Sequence, residues 1–246
     1  MSMSPRARAA KTKQAPRARA VEPAGPPPRA AEATRAKILR SAEDLFGEHG
    51  FDGVSVRQIA LAAGVPVALI NYHFGAKEGL YRAIFEMRSP AIVDDRLAGL
   101  RLAELEPDPD RKLELIIRAL IVPMIHLRNT EKNSSYARIL ARETSSPSRH
   151  SKEIIGEFFD PVARKMIEAM GQALPDRRPE EIHWAYHMMI GAMVFFMADT
   201  GRIIRLSDGS CDPDDEMTTA THMVALLHAA LKHGRVPEPP SRKGNL

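Results

Sequence analysis

The 246-residue chain has one cysteine, Cys211. No disulfide can therefore form within it and no thiolate cluster can hold zinc, and a lone thiol fits a reducing cytosol. Long hydrophobic runs are missing too. The longest, residues 188–198, carries Gly191 inside it and falls well short of the roughly 20 apolar residues that a bilayer demands, so no membrane partner is expected. No strand-like alternation and no internal repeat occurs. Nor is there a nucleophile elbow, a phosphate-binding glycine loop, a dinucleotide glycine pattern, an HExxH motif or a cluster of metal ligands, so enzyme chemistry is not expected and no cofactor is implied. His183 and His187, four apart, are the only helical pair that begins a metal site, with Glu180 and Glu181 alone nearby. Apolar residues stand at an ordinary 44%, aromatics at 5%, so a small core must use each ring it has.

Charge is unevenly spread. Residues 1–30 hold Arg6, Arg8, Lys11, Lys13, Arg17, Arg19 and Arg29 against Glu22 alone, a surplus of +6 in a chain whose net charge is +4, which leaves −2 for the rest. This proline- and alanine-rich arm has too little apolar surface to offset its ordering entropy and is expected to be disordered. It reads either as a DNA-contacting arm or as a solubilising tail. No apolar core follows the basic residues, so a secretory signal is not expected, although the arginine-rich, acid-poor make-up imitates a transit peptide.

The most informative stretch is residues 55–77. Ser55 and Gln58 form a capping box. Val56, Ile59, Ala60 and Ala63 make one apolar stripe, and Gly64 suits the left-handed end of a helix about two turns long. Pro66 then opens a second short helix, with Ile70 and Phe74 inward, Val67, Ala68, Asn71 and Tyr72 outward, and Gly75 as its stop. Two short helices joined by a tight turn read as a helix-turn-helix or, equally, as an ordinary αα-hairpin. Ahead of them, 34–49 carries Ile38, Ala42, Leu45 and Phe46 on one face, Gly50 ends it, and Phe51 and Val54 plug the core. Residues 77–87 start a further helix.

The run Asn71-Tyr72-His73-Phe74-Gly75-Ala76-Lys77-Glu78, with Ala63-Gly64-Val65, the Ser55 start and Phe51, resembles the DNA-binding domain of the TetR family of bacterial transcriptional regulators over residues 34–87. Pro66 departs from the family pattern, which usually has Ser or Thr there, so a capping hydroxyl and a phosphate contact are missing. The resemblance implies that Ser55 and Arg57 hold phosphates on one flank and Tyr72 and Lys77 on the other. Base reading then falls to Val67 and Ala68, limited to thymine methyls, and to Asn71, which can pair with adenine. His73 suits a structural hydrogen bond as well as a DNA contact.

From Pro90 the chain reads as helices at 91–105, 110–128, 133–143, 150–173, 179–201 and 213–233, with Asp212-Pro213 opening the last and Gly234 closing it. Residues 235–246 should be a loose tail. Pro123 interrupts one helix. The family binds a small molecule in its second domain, and the wall candidates here are Met124, Leu127, Phe158, Phe159, Met166, Met170, Met188, Met189 and Met193; a methionine stripe also suits plain core. His126, His187, Arg138 and Arg142 are the candidate polar partners of a ligand, the two arginines sharing a face that suits either a carboxylate or solvent. In the family the last two long helices pair with their symmetry mates, which would bring Trp184, Met188, Gly191, Phe195, Met217, Met223, Val224 and Leu227 to or near a two-fold interface, and helices this apolar on more than one face agree.

The expected fold is thus all-α. A basic arm (1–31) precedes a three-helix helix-turn-helix domain (32–88), a helical effector-binding and dimerisation domain (89–234) and a tail. The expected function is a homodimeric, cytoplasmic repressor of operator DNA released by a small apolar or amphipathic effector. The alternative is a DNA-binding regulator controlled by a protein partner with no small effector; an apolar cavity favours the first and a filled core the second.

Overall fold

A computed structural model describes residues 28–130, 135–146, 149–198 and 201–234. The expected basic arm, apart from its last few residues, and the expected tail lie outside them. The described residues form helices without a strand.

Helix α1 (Pro28–His49) begins before the expected Thr34. The Thr34 hydroxyl donates back to the Ala30 carbonyl at 2.8 Å, a bond made inside a helix rather than at its cap, and Pro28 supplies the start. Helix α2 (Val56–Ala63) opens on the expected capping box: the Ser55 amide donates to Gln58 Oε1 at 2.8 Å and the Gln58 amide to Ser55 Oγ at 3.3 Å. Gly64, at φ 59°, ends it in the left-handed region. Helix α3 (Val67–Phe74) follows with Pro66 at its cap and no side-chain capping bond, as the missing hydroxyl dictates. Ile59, Ala63 and Ile70 are fully buried between these helices and α1.

Helix α4 (Lys77–Glu104) corrects an expectation, because it runs unbroken through Pro90. The expected boundary at residue 88 therefore falls inside a helix. A mid-helix proline removes one hydrogen bond and costs on the order of 3 kcal/mol. Here burial on both sides outweighs that cost: Leu80, Tyr81, Ile84 and Phe85 pack toward α1, while Ile92, Arg96 and Leu100 enter the second layer. Helices α5 (Pro109–Thr130), α6 (Ser135–Ser145), α7 (Arg149–Ala173) and α8 (Pro179–Met197) complete that layer with α4. Helix α8 ends before the expected residue 201, and a short α9 (Arg202–Leu206) follows. Helix α10 (Glu216–His233) lies on α5. Its cap is Asp215 rather than Asp212: Asp215 Oδ1 accepts from the Thr218 amide at 3.1 Å, whereas Asp212 closes a turn by accepting from the Asp214 amide at 2.9 Å.

Five of the scarce aromatics meet where the two halves join. Phe46, Phe51, Tyr81, Phe85 and Tyr136 form a chain of ring contacts with centroids 4.9 to 5.8 Å apart, from α1 through α4 to α6. Each ring contact adds about 0.5–1.5 kcal/mol beyond the area it buries.

Candidate functional site

Two surfaces and one cavity hold the candidate residues. Pro66 at the cap of α3 and Ala68 and Asn71 on the helix are exposed, Val67 is 36% and Tyr72 76% exposed, while Ile70 is fully buried. One side of an eight-residue helix is thus anchored and the other side is bare. Ser55 and Arg57 are exposed at the start of α2. His73 is half-buried, its ring 5.1 Å from that of Tyr72 and 6.0 Å from that of Phe74, in an aromatic row rather than on the bare face.

Lys77 departs from its expected place at the phosphate flank. Its ammonium donates to the Phe51 carbonyl at 3.0 Å and the Val54 carbonyl at 3.1 Å, and lies 4.2 Å from the Phe51 ring centre. The loop between α1 and α2 ends in carbonyls that no helix satisfies, and the lysine closes it.

A half-open cavity of about 220 Å³ lies among α4, α5, α6, α7 and α8. Met124, Leu140, Ile155, Phe159, Ile190 and Met193 make its apolar wall, with Tyr186 inside and Thr144, Asp160 and His187 exposed at its rim. Of the wall residues named from sequence, Met124, Phe159 and Met193 line it. Leu127, Phe158, Met166 and Met189 do not: Met166 and Met189 are core on other faces, and Phe158 lies against Arg82 at the surface of α7. Of the polar candidates, His187 stands at the rim and the others are placed elsewhere. His126 is exposed and 3.2 Å from Glu216 on α10, and Arg138 donates to Ser135 Oγ at 3.1 Å. Arg142 turns to α1, donating to the Phe46 carbonyl at 2.9 Å and the Glu48 carbonyl at 3.3 Å.

The charged group in the cavity is one that sequence reasoning missed. Arg96 is 4% exposed, among α4 residues whose neighbours Asp94 and Asp95 make the stretch look solvated. Its Nη2 reaches the Met193 thioether at 3.6 Å, its guanidinium carbon lies 5.7 Å from the Phe159 ring centre, and its Nε has no hydrogen-bond partner. Burial pushes its pKa down, against the opposing influence of Tyr186 and Tyr136. Burial likewise raises the Tyr186 phenol.

Helix α6 has two working faces. Leu140 and Thr144 line the cavity, whereas Arg142 holds the end of α1 and Glu143 accepts a hydrogen bond from Tyr81 Oη on α4 at 2.8 Å. Ser135 at its start donates to Asp44 of α1 at 2.9 Å, and Gly47 makes that approach possible, since a Cβ there would stand 2.7 Å from the Ser135 carbonyl oxygen. Beside this seam Arg88 of α4 grips Glu43 of α1 through two bonds of 2.8 and 3.0 Å.

The remaining surface is an apolar stripe. Trp184, Met188 and Phe195 of α8 are 62, 62 and 77% exposed, with Gly191 between them and open space above it. On α10, Met217 and Leu226 are 80 and 72% exposed; Leu226 was not expected, and Val224, which was, is 2% exposed and packs within its own chain. Among the described residues no group of three or more metal-ligating side chains exists, and no helix is long and apolar enough to cross a membrane.

Comparison with known proteins matches two family models to the chain: bacterial regulatory proteins of the tetR family over residues 38–84, and a tetracyclin repressor-like C-terminal domain over residues 118–230. The chain is similar to the HTH-type transcriptional dual regulator CecR of Shigella flexneri, 28% identical over 209 residues that cover 81% of this chain and 91% of that one. Its fold is similar to that of the transcriptional regulator FadR from Bacillus subtilis, solved in complex with stearoyl-CoA, with a TM-score of 0.57, 16% identity, and coverage of 79% of this chain and 97% of that one. It is also similar to that of AibR, solved in complex with isovaleryl coenzyme A and operator DNA, with a TM-score of 0.55, 20% identity, and coverage of 79% and 98%.

Proposed function

The chain belongs to the TetR family of bacterial transcriptional regulators, and from that premise we propose that it is a homodimeric repressor, held on operator DNA by α3 and released by a small apolar or amphipathic molecule. It is a regulator and not an enzyme. In this reading residues 32–88 read DNA and residues 89–234 hold the effector and the partner protomer. Ser55, Arg57 and Tyr72 meet phosphates; Val67 and Ala68 touch thymine methyls; Asn71 pairs with adenine. Lys77 acts as a clamp within the domain, since its ammonium already serves two carbonyls.

The observation that carries the reading is the double role of α6, which walls the cavity on one side and fastens α1 on the other. An occupant that shifts α6 changes where α1 to α3 stand. An effector releases DNA only by favouring the spacing of the two recognition helices that DNA rejects, and couplings of about 1–3 kcal/mol are typical. The apolar wall favours an effector over control by a protein partner. Two proteins of the same fold, solved with stearoyl-CoA and isovaleryl coenzyme A, support an acyl-bearing occupant.

The dimer reading is supported by the Trp184, Met188, Phe195, Met217 and Leu226 stripe, too apolar for a solvated face. Two protomers joined there would present half-sites about 34 Å apart. Footprinting of the promoter beside the gene, with sedimentation and transcription in vitro, tests the whole proposal. A two-fold symmetric footprint and falling transcript with added protein are expected; a monomer, or rising transcript, overturns it.

A further inference from the structure

We propose that the cavity recognises a monocarboxylate, its apolar part among Met124, Phe159, Ile190 and Met193 and its carboxylate on the guanidinium of Arg96. The inference rests on the effector reading given above and adds the chemical class of the effector.

Moving a cation out of water without a compensating anion is among the most expensive arrangements a protein can hold, several kcal/mol even after relaxation. Buried arginines are accordingly paired. Arg96 is 4% exposed, yet among the described residues no carboxylate pairs with it; a thioether and a ring face are its neighbours, and its Nε is bare. Neither neighbour is an anion. The residue also lines a cavity, so the missing partner has a place to sit.

Three features narrow the partner. The guanidinium fork matches the planar carboxylate with two parallel hydrogen bonds. One positive charge balances one negative charge, which suits a carboxylate better than a phosphate dianion; among the described residues the other charge on the wall, Asp160, is exposed at the rim and lies 4.0 Å from Arg164. The volume of about 220 Å³ lies below the roughly 300 Å³ at which pockets for drug-sized ligands begin, so the body is small. An acyl thioester brings a chain but no charge to Arg96, and this separates a free acid from an acyl-coenzyme A.

The test uses matched probes on the full-length protein: hexanoate with hexanamide, octanoate with octanamide, phenylacetate with phenylacetamide, and octanoyl-CoA. Titration calorimetry should show at least one acid binding about ten-fold or more tighter than its amide and than octanoyl-CoA. Arg96→Met, which keeps the packing on Phe159, should bind the amide as before and lose the preference for the acid; Arg96→Lys, which keeps the charge without the fork, should retain part of it. Circular dichroism confirms that both variants are folded. If acid and amide bind the parent alike and both are lost in Met193→Trp, the cavity holds ligands but Arg96 does not read charge, and the inference falls while the effector reading stands. Tighter binding of octanoyl-CoA than of octanoate overturns it in the same way. If no probe binds, both fall.

Discussion

The guanidinium of Arg142 lies across the end of α1, its Nη1 2.9 Å from the carbonyl oxygen of Phe46. The last carbonyls of a helix carry partial negative charge, and that of Phe46, which already accepts from the Gly50 amide at 2.9 Å, takes a second bond from a cation supplied by another helix. Gly50, which ends α1 at φ 75°, leaves room for it: a Cβ at that position would stand 3.1 Å from Arg142 Nη1.

Arg142→Ala is therefore expected to loosen the seam between α1 and α6 and not to weaken any ligand in the cavity. A loss of roughly 1–2 kcal/mol is expected, by analogy with other charge-assisted hydrogen bonds. Urea denaturation and ligand titration on the same variant check both halves.

At the DNA surface the two cations should behave differently. Arg57→Ala is expected to weaken specific and random duplexes alike and to reduce the slope of affinity against salt by about one unit. Lys77→Ala should leave that slope unchanged and lower thermal stability, because two loop carbonyls each lose a charged donor. Asn71→Ala should lose about 1–3 kcal/mol of discrimination at one position per half-site. Salt titrations and operator variants decide among them.

Met193→Trp places a bulky ring in the cavity beside Arg96. The response of operator affinity to effector should disappear while sedimentation still shows a dimer. A variant that responds like the parent would place the effector elsewhere.

Phe195→Glu, at a site 77% exposed, should leave the monomer fold intact and split the dimer, since two carboxylates would meet across a two-fold axis. Operator affinity should fall with it. Sedimentation across a concentration series reads the effect.

Alkaline unfolding should report the core tyrosines. Burial, reinforced by the bond to Glu143, raises the Tyr81 phenol, and burial raises Tyr136 although the bond with Ser89 opposes it. The sign follows: folded values above the unfolded value near 10 mean that this stability is complete below about pH 10 and is lost as pH rises beyond it. Phenolate absorbance from these residues should then appear together with loss of helix signal. Tyr81→Phe should cost about 1–3 kcal/mol at neutral pH, for it removes a buried hydrogen bond to the Glu143 carboxylate.

The helix-turn-helix was legible because its signals are local. A capping box, Gly64 and the spacing of Ile59, Ala63 and Ile70 sit within sixteen residues of one another, and each constrains backbone it touches. Lys77, Arg96 and Arg142 were misread or missed for the opposite reason. What each one touches lies between 23 and 97 residues away in the chain, so no window of sequence contains both partners. Pro90 misled for a related reason: its local penalty is real, but the packing of α4 on α1 and on the second layer decides the outcome. The cavity walls were half legible, since Met124 and Met193 share their composition with Met166 and Met189 and differ only in which side of a helix they occupy.

The bare cap of α3 has a consequence for timescale. An eight-residue helix is too short to hold itself together in water, and this one has no side chain bonded at its first turn. Its amides stay closed only through Ile70, half-buried Phe74 and the helices beneath. In the free protein the α3 amides should exchange with deuterium much sooner than those of α4 around Tyr81, through local opening that leaves the rest folded. A duplex seated on that face would slow them. Part of its binding energy is then spent on stilling the helix that reads it, and a matched site should show the slower exchange because it holds the helix longer.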